Sequence, residues 1–241
     1  MLDWTQEQLA VITSPPNARL LVNAGPGTGK TAVACGRIAH LINHLHIAPS
    51  QVWLISFTRT AVHELRGRIS SCLAQEHHAL AVRIATIDAH AWAIHSGFNQ
   101  DASLAGGYES NIRNVIELVR KHEGVFEYLS EVQHLFIDEA QDVVGTRCEL
   151  LLEIISCLPE STGVTILADE AQAIYGFAED ECGMADNDNL PVAIRKYFPA
   201  FIEKYLTEIR RTNDRTLCRI FSEGRKIVSG CDNGIKQLDD I

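Results

Sequence analysis

The sequence predicts an α/β protein in which a mostly parallel sheet is covered by helices on both faces. Short runs rich in β-branched residues alternate along the 241-residue chain with longer stretches of helical periodicity. Most of the short runs are continuously apolar, which is typical of strands that are buried on both sides. Strand–helix alternation of this kind implies right-handed crossovers and therefore parallel strands.

The pattern places six strands, four helices and three loops. The predicted strands are 19–24, 51–57, 82–86, 134–138, 163–169 and 202–208. The predicted helices are 30–45, 59–73, 109–122 and 146–157, and the last of them sets Leu150, Leu151, Ile154 and Ile155 on one face. The predicted loops are 14–18, 99–107 and 178–189.

Composition narrows the class of protein. With 46% hydrophobic and 22% charged residues the chain falls in the ordinary globular class, and no apolar run is long enough to span a membrane. The N-terminus lacks the basic and apolar regions of a signal peptide, so we expect a cytoplasmic protein without a membrane partner. A net charge of −10 argues against nonspecific coating of nucleic acid, so any such contact must be local.

The cysteines and histidines do not predict a metal or disulfide framework. Seven cysteines without a C-x-x-C pair argue against disulfides and a zinc ribbon and favour reduced thiols. His40, His44 and His46 are spaced so that two could share a helix face, but surface histidines explain them better than a metal site does.

The segment AGPGTGKT, residues 24–31, lies directly after the first predicted strand and opens the first long helix. Its glycines allow backbone N–H groups to converge on phosphate oxygens, and the helix N-terminus adds partial positive charge. Lys30 can reach the β- and γ-phosphates, and the Thr31 hydroxyl can bind Mg²⁺. The segment therefore predicts a P-loop, with an ordinary glycine turn as the alternative. The predicted phosphate-binding residues are Gly25, Pro26, Gly27, Thr28, Gly29, Lys30 and Thr31.

The segment HLFIDEAQDV, residues 134–143, places carboxylates directly behind a buried strand. Because the carboxyl ends of parallel strands share one edge of the sheet, Asp138 is predicted to hold Mg²⁺ beside the P-loop. Glu139 is the candidate general base that orients the attacking water. A solvated, acidic helix start is the alternative interpretation.

Seven segments in order along the chain resemble motifs of the UvrD/Rep-like superfamily 1 DNA helicases. The P-loop, FIDEAQD (136–142) and ILADEAQAIYGF (166–177) are similar to motifs I, II and III. The other matches are TQEQLAVI (5–12) to the Q-motif, ISFTRTAVHELRGRI (55–69) to motif Ia, TIDAHAWAI (86–94) to motif Ib and YLTEIRRTNDRTL (205–217) to motif IV. The resemblance implies a RecA-like P-loop motor domain that uses ATP and Mg²⁺.

The resemblance also implies roles for residues around the nucleotide. Gln8, or Gln6 as the alternative, would bind the adenine edge, and Arg37 would pack on the adenine. Gln172 would sense the γ-phosphate and Arg211 would contact it, so the implied catalytic set is Lys30, Glu139, Gln172 and Arg211.

For single-stranded DNA, the resemblance implies that Tyr175 and Phe177 stack on bases. The remaining residues implied to line the same channel are Phe57, Thr58, Arg59, Thr86 and His90. Likeness to the UvrD group implies 3′-to-5′ movement.

The sequence departs from the family pattern in four places. Ala168 replaces a glycine, His90 replaces a phenylalanine, and Arg210 takes the place of a tyrosine in motif IV. The fourth departure concerns domains: nothing in the sequence resembles motifs V and VI, which the family carries on a second RecA-like domain. Residues 1–205 are predicted as the motor domain, with a short insertion at about 96–133, and 206–241 as a motif IV segment that leads toward a second motor domain.

A second RecA-like domain, or a partner chain, would therefore complete the cleft. We expect this chain alone to bind ATP–Mg²⁺, to hydrolyse it slowly and not to unwind duplexes. The alternative is a nucleotide-dependent switch module of a nuclease or defence assembly, which would not translocate.

Overall fold

The protein is described here by a computed structural model that covers residues 3–103, 107–172 and 188–210. These ranges contain one sheet of six strands, in the order β3-β2-β4-β5-β1-β6. The strands are β1 (Arg19–Ala24), β2 (Val52–Ser56), β3 (Arg83–Thr86), β4 (His134–Ile137), β5 (Gly163–Ala168) and β6 (Ile202–Leu206). Every neighbouring pair is parallel, which confirms the predicted fold class.

Helices in the described ranges cover both faces of the sheet, and each face encloses its own hydrophobic cluster. The first face carries α1 (Gln6–Ile12), α2 (Lys30–Asn43), α3 (Arg59–Cys72) and α4 (His78–Ala81). The second face carries α5 (Ile87–Phe98), α6 (Gly107–Lys121), α7 (Glu123–Ser130), α8 (Gly145–Cys157) and α9 (Leu190–Tyr197). Because side chains alternate along a strand, β2 sends Val52 and Leu54 to the first cluster and Trp53 and Ile55 to the second.

All six predicted strands are present, with ends that shift by at most two residues. The four predicted helices are present as α2, α3, α6 and α8, and the predicted apolar face of α8 is buried. Helices α1, α4, α5, α7 and α9 were not predicted as separate elements. The stretch at about 96–133, predicted as a short insertion, contains α6 and α7, whose apolar side chains belong to the second cluster.

The strand order opens a crevice at the carboxyl edge of the sheet. The chain leaves β1 for α2 on the first face, whereas it leaves β4 and β5 for α8 and α9 on the second. Connections that part in opposite directions at adjacent strands leave room for a ligand between them. The segments after β1, β4 and β5 therefore meet at one edge of the sheet.

No helix in the part of the chain that the structure describes combines the length and the apolarity that crossing a bilayer requires. The same ranges contain no group of three or more His, Cys, Asp or Glu side chains arranged to hold a metal ion.

Candidate active site

The P-loop after β1 is a tight turn that leaves a helix N-terminus open. Gly27 and Gly29 have φ values of 78° and 85°, a region that side chains with a Cβ rarely adopt. Thr28 closes the turn, since its hydroxyl donates to the Gly25 carbonyl at 2.8 Å. No side chain caps the start of α2, so its first N–H groups can bind an anion.

The Lys30 ammonium forms an ion pair with the Glu139 carboxylate across the crevice. Burial opposes ionisation of Glu139, but the Lys30 charge and the bonds from Gln141 and Lys30 outweigh it and hold the pKa of Glu139 below its ordinary value. Glu139 has a left-handed backbone conformation, with φ 54° and ψ 43°. Such a conformation costs a residue with a side chain about 1–3 kcal/mol and is concentrated at functional sites.

Asp138 provides a buried carboxylate beside this ion pair. It is 3% exposed, its backbone N–H donates to the Ile55 carbonyl at 2.9 Å, and its Oδ1 has no hydrogen-bond partner in the described ranges. Burial raises the pKa of Asp138 to about 6, and Lys30 offsets only part of that effect. A buried carboxylate oxygen without a partner is suited to a cation.

The donor set fits Mg²⁺ of the kind that P-loop proteins bind. Asp138 and the Thr31 hydroxyl would supply the oxygen ligands that this ion prefers, and phosphate and water oxygens would complete its shell. Ser56, at the end of β2, adds a buried hydroxyl that also lacks a partner among the described residues. Sequence reasoning missed Ser56; its one signal is that it is a polar residue that ends an apolar strand.

The turn after β5 is linked to the carboxylates by a single amide. The Gln141 Nε2 donates to the Glu139 carboxylate at 2.7 Å, and the Gln141 Oε1 accepts from the Asp169 backbone N–H at 2.9 Å. Gln172 lies three residues further on, in the 3₁₀ turn Glu170–Gln172, where it is exposed at the same edge of the sheet.

Two segments, one in α1 and one after β6, donate hydrogen bonds to carbonyls of the P-loop. The Gln8 Nε2 donates to the Thr28 carbonyl at 2.9 Å, and the Gln8 Oε1 accepts from the Thr5 N–H at 3.0 Å. The Arg210 N–H, beyond β6, donates to the Gly27 carbonyl at 2.8 Å, and its guanidinium donates to the Asp3 carbonyl at 2.7 Å. Gln8 therefore lies against the P-loop with its amide bonded to the protein itself, and its contact with the adenine edge stays a prediction.

The structure corrects the prediction that Arg37 packs on the adenine. The Arg37 side chain is fully buried, and its guanidinium donates to the Thr165 hydroxyl and to carbonyls at the end of α1 and in the segment that follows it. The accepting carbonyls belong to Val11, Ile12, Ser14 and Pro15. A guanidinium whose donors are taken up in the interior offers no face to a base, so Arg37 joins α1 to the sheet instead.

Three of the residues implied to bind single-stranded DNA are neighbours on the solvent-exposed surface. Phe57, Thr58 and Arg59 are exposed directly after β2, and the Thr58 hydroxyl accepts from the Ala61 N–H to cap α3. Thr86 is half-buried and caps α5 in the same way through the Ala89 N–H. Each hydroxyl keeps its O–H free to donate to a phosphate.

The structure also corrects the prediction that His90 lines the channel for single-stranded DNA. His90 is 7% exposed, its ring stacks on Trp53 with centroids 5.1 Å apart, and its Nε2 has no partner within the described ranges. Burial lowers the pKa of His90 to about 4, so the ring is neutral at ordinary pH. Its position on the buried face of α5 keeps it away from a bound strand. Tyr175, Phe177, Arg211 and nearly all of the predicted loop 178–189 lie outside the described residues.

Sequence reasoning also missed a group of hydrogen bonds that converge on the Glu170 carboxylate, called the Glu170 hub below. This carboxylate accepts from the Asn23 Nδ2 at 2.9 Å and from the Arg195 guanidinium at 2.7 Å, and Arg195 also donates to Glu203 at 2.8 Å. The hub joins the strand before the P-loop to the turn after β5, to α9 and to β6. Asn23 gave a weak signal as a polar residue in an apolar strand, whereas nothing near Arg195 in the sequence points to Glu170.

A P-loop after β1, a carboxylate pair after β4 and a polar turn after β5, all at one edge of a parallel sheet, define a RecA-like P-loop nucleotide-binding protein. The chain belongs to the UvrD/REP helicase N-terminal domain family, whose model matches residues 4–107 and 99–190.

Curated relatives carry helicase names. The chain is 38% identical over 225 residues to the ATP-dependent DNA helicase UvrD1 of Mycobacterium leprae, which covers 87% of this chain and 27% of that protein. It is 40% identical over 88 residues to the ATP-dependent DNA helicase PcrA of Leuconostoc citreum, 33% of this chain and 12% of that protein. The ATP-dependent DNA helicase Rep of Buchnera aphidicola is 28% identical over 142 residues, 53% of this chain and 22% of that protein. The matched region thus spans about a quarter or less of these relatives.

Proposed function

We propose that this chain is the ATP-binding motor domain of an ATP-dependent DNA helicase or translocase that moves 3′-to-5′ along single-stranded DNA in the cytoplasm. The observation that carries the proposal is the ion pair of Lys30 with Glu139 beside the buried Asp138 carboxylate, at the open N-terminus of α2. A cation and two carboxylates arranged in this way suit phosphoryl transfer to water.

The proposed chemistry begins with an exchange of partners at Lys30. Phosphate oxygens of ATP, bound at the N–H groups of α2, would compete with Glu139 for the ammonium group. Mg²⁺, held by Thr31 and Asp138, would neutralise phosphate charge. The Glu139 carboxylate, released from its ion pair, would then accept the proton of a water whose oxygen bonds to the γ-phosphorus as the bond to the ADP oxygen breaks.

DNA binding is proposed along the carboxyl edge beyond β2. Phe57 is 44% exposed there, and Thr58 and Arg59 beside it can donate to phosphates. An exposed aromatic ring suits base stacking, which is worth about 1–3 kcal/mol per base and tolerates any sequence. Local contacts of this kind are compatible with a net charge of −10.

We expect the 241-residue chain alone to bind ATP–Mg²⁺, to hydrolyse it slowly and not to separate strands. Translocation needs a cleft that opens and closes between two domains, and the relatives are much longer than the matched region. Duplex unwinding by the isolated chain would contradict this proposal.

The decisive experiment compares Glu139→Gln with Lys30→Met. Glu139→Gln should bind ATP–Mg²⁺ about as tightly as the parent, yet hydrolyse it about 10²-fold more slowly or worse, because only the proton acceptor is lost. Lys30→Met should weaken binding itself. Titration with a fluorescent ATP analogue and single-turnover hydrolysis measure the two properties, and unchanged hydrolysis in Glu139→Gln would remove Glu139 from its role.

A further inference from the structure

Gln141 is a buried amide whose two ends bind two different loops. It is 4% exposed, and it lies in the 3₁₀ turn Ala140–Asp142 after β4. Its Nε2 donates to the Glu139 carboxylate, and its Oε1 accepts from the Asp169 N–H. Only this orientation satisfies both partners, since the reverse would set an oxygen against a carboxylate and one N–H against another.

The Glu139 carboxylate depends on few contacts for its position. Its backbone is left-handed, and the described partners of its side chain are Lys30 and Gln141. When phosphates draw Lys30 away, the Gln141 bond is the described contact that remains. A catalytic group performs best when its orientation is fixed before the reaction.

The far end of Gln141 reaches the segment that faces the nucleotide from β5. Asp169 lies directly after β5, and its carbonyl accepts from the Gln172 N–H at 2.9 Å. Displacement of the Glu139 carboxylate would therefore pull on the first residue of the turn that bears Gln172. The amide is the described side-chain connection between these two loops, and it is too buried for water to replace easily.

We propose that Gln141 is a positioning residue for ATP hydrolysis: it holds the Glu139 carboxylate toward the attacking water and transmits the state of Glu139 to the turn at Asp169–Gln172. The inference rests on the proposed hydrolytic function and assigns the orientation of its general base to one amide.

The test uses Gln141→Met, which keeps the length of the side chain and removes both polar ends. We expect single-turnover hydrolysis to fall about tenfold or more, while affinity for ATP–Mg²⁺ changes less than threefold. Gln133→Met is the matched control, because Gln133 precedes β4 at its other end and is exposed. The control should hydrolyse ATP at the parental rate.

A double-substitution cycle separates positioning from a general loss of structure. If Gln141 acts through Glu139, the variant with both Glu139→Gln and Gln141→Met should hydrolyse ATP no more slowly than Glu139→Gln alone. Independent, multiplicative losses would overturn the inference. Normal hydrolysis in Gln141→Met alongside a defective Glu139→Gln would also overturn it and leave the proposed function intact, whereas normal hydrolysis in Glu139→Gln would count against the proposed function itself.

A second measurement does not depend on turnover. Binding of a nonhydrolysable ATP analogue should change backbone hydrogen exchange at residues 168–172 in the parent and in Gln133→Met, but not in Gln141→Met. An equal response in all three proteins would contradict the proposed connection between the loops.

Discussion

At the residue scale, a chain of hydrogen bonds crosses the interior beneath the P-loop strand. The Arg37 Nε donates to the Thr165 hydroxyl, the hydroxyl donates to the His134 Nε2, and the His134 Nδ1–H donates to the Pro16 carbonyl. A carbonyl can only accept, so the partners fix His134 as the neutral Nδ1–H tautomer. Burial, with help from the nearby Arg37 charge, lowers the pKa of His134 to about 3.

This histidine should make folding stability depend on pH. Below pH 6.5, its ordinary pKa, His134 binds a proton in the unfolded chain, whereas in the folded chain it stays neutral down to about pH 3. Stability is therefore full above about pH 6.5 and is lost as pH falls, by up to about 1.4 kcal/mol per unit for one such group. When urea unfolding is measured at pH 7.5 and at pH 5.5, the free energy of unfolding should fall less between the two pH values in His134→Gln than in the parent. An equal or larger loss would contradict the assignment.

Arg37 should contribute to folding stability and little to nucleotide binding. Arg37→Met leaves several buried carbonyls without donors, and each unsatisfied group costs about 1–3 kcal/mol. We expect a markedly lower urea midpoint with ATP affinity nearly unchanged in the folded fraction. Arg68→Met is the control, since Arg68 is exposed on α3 and its loss should shift the midpoint little. A normal midpoint combined with weak ATP binding would restore the adenine role.

The two corrected residues show what spacing along a helix leaves undecided. Arg37 lies in the helix that the P-loop opens, and its resemblance to an adenine contact was a prediction from position alone. The structure turns it toward Thr165 on β5, 128 residues away in sequence. Which face of a helix meets the sheet depends on such distant partners. The P-loop and the carboxylate pair were predictable because each is local.

At the element scale, the close contact between β4, β5 and the segment before β1 depends on Gly163. A Cβ at this position would lie 2.0 Å from the Pro16 carbonyl oxygen and 2.4 Å from the His134 Nδ1. Gly163→Ala should therefore separate His134 from Pro16 and destabilise the fold by about 3 kcal/mol, at the upper end for overpacking.

Gly67→Ala is the matched control for this prediction. Gly67 lies within α3, and nothing stands within 4 Å of where its Cβ would be. Replacement of a helical glycine by alanine stabilises by about 0.5–1 kcal/mol. The melting temperature should fall in Gly163→Ala and rise in Gly67→Ala. A Gly163→Ala protein as stable as the parent would show that the strands can separate to admit the methyl group.

Strands were predictable and some helices were not, for a physical reason. Strands buried on both sides are continuous apolar runs, which the sequence displays directly. Helix α5 instead buries His90 and His95, and the His95 Nδ1 is hydrogen-bonded to the Asn111 side chain of α6. Polar residues on a buried face blur the helical period, and their pairing becomes visible only when α5 and α6 are placed side by side.

At the scale of the whole molecule, ligand binding should stabilise the fold through the P-loop. ATP at about a hundred times its Kd should add about 2.7 kcal/mol to the free energy of unfolding. We expect ATP with Mg²⁺ to raise the melting temperature of the parent, a chelator to remove most of that increase, and Lys30→Met to show little increase at any metal concentration. An increase in Lys30→Met equal to that of the parent would place the nucleotide elsewhere.

Contacts between distant ends of the chain were beyond sequence reasoning. Glu7 in α1 accepts from the Thr207 N–H and hydroxyl, 200 residues along the chain, at 2.7 Å in each case. The Glu170 hub and the bond from Arg210 to the P-loop are of the same kind. Their residue types are ordinary, so only the folded structure shows that the segment after β6 lies against the P-loop.

The position of β1 between β5 and β6 also bears on synthesis. Leu20 pairs with Thr165 on one side and with Ile202 on the other, so the P-loop strand emerges from the ribosome long before either neighbour exists. Pairings so distant in sequence form late and leave apolar strands exposed meanwhile. A nascent chain shorter than about residue 206 therefore lacks the strand that pairs with the outer side of the P-loop strand.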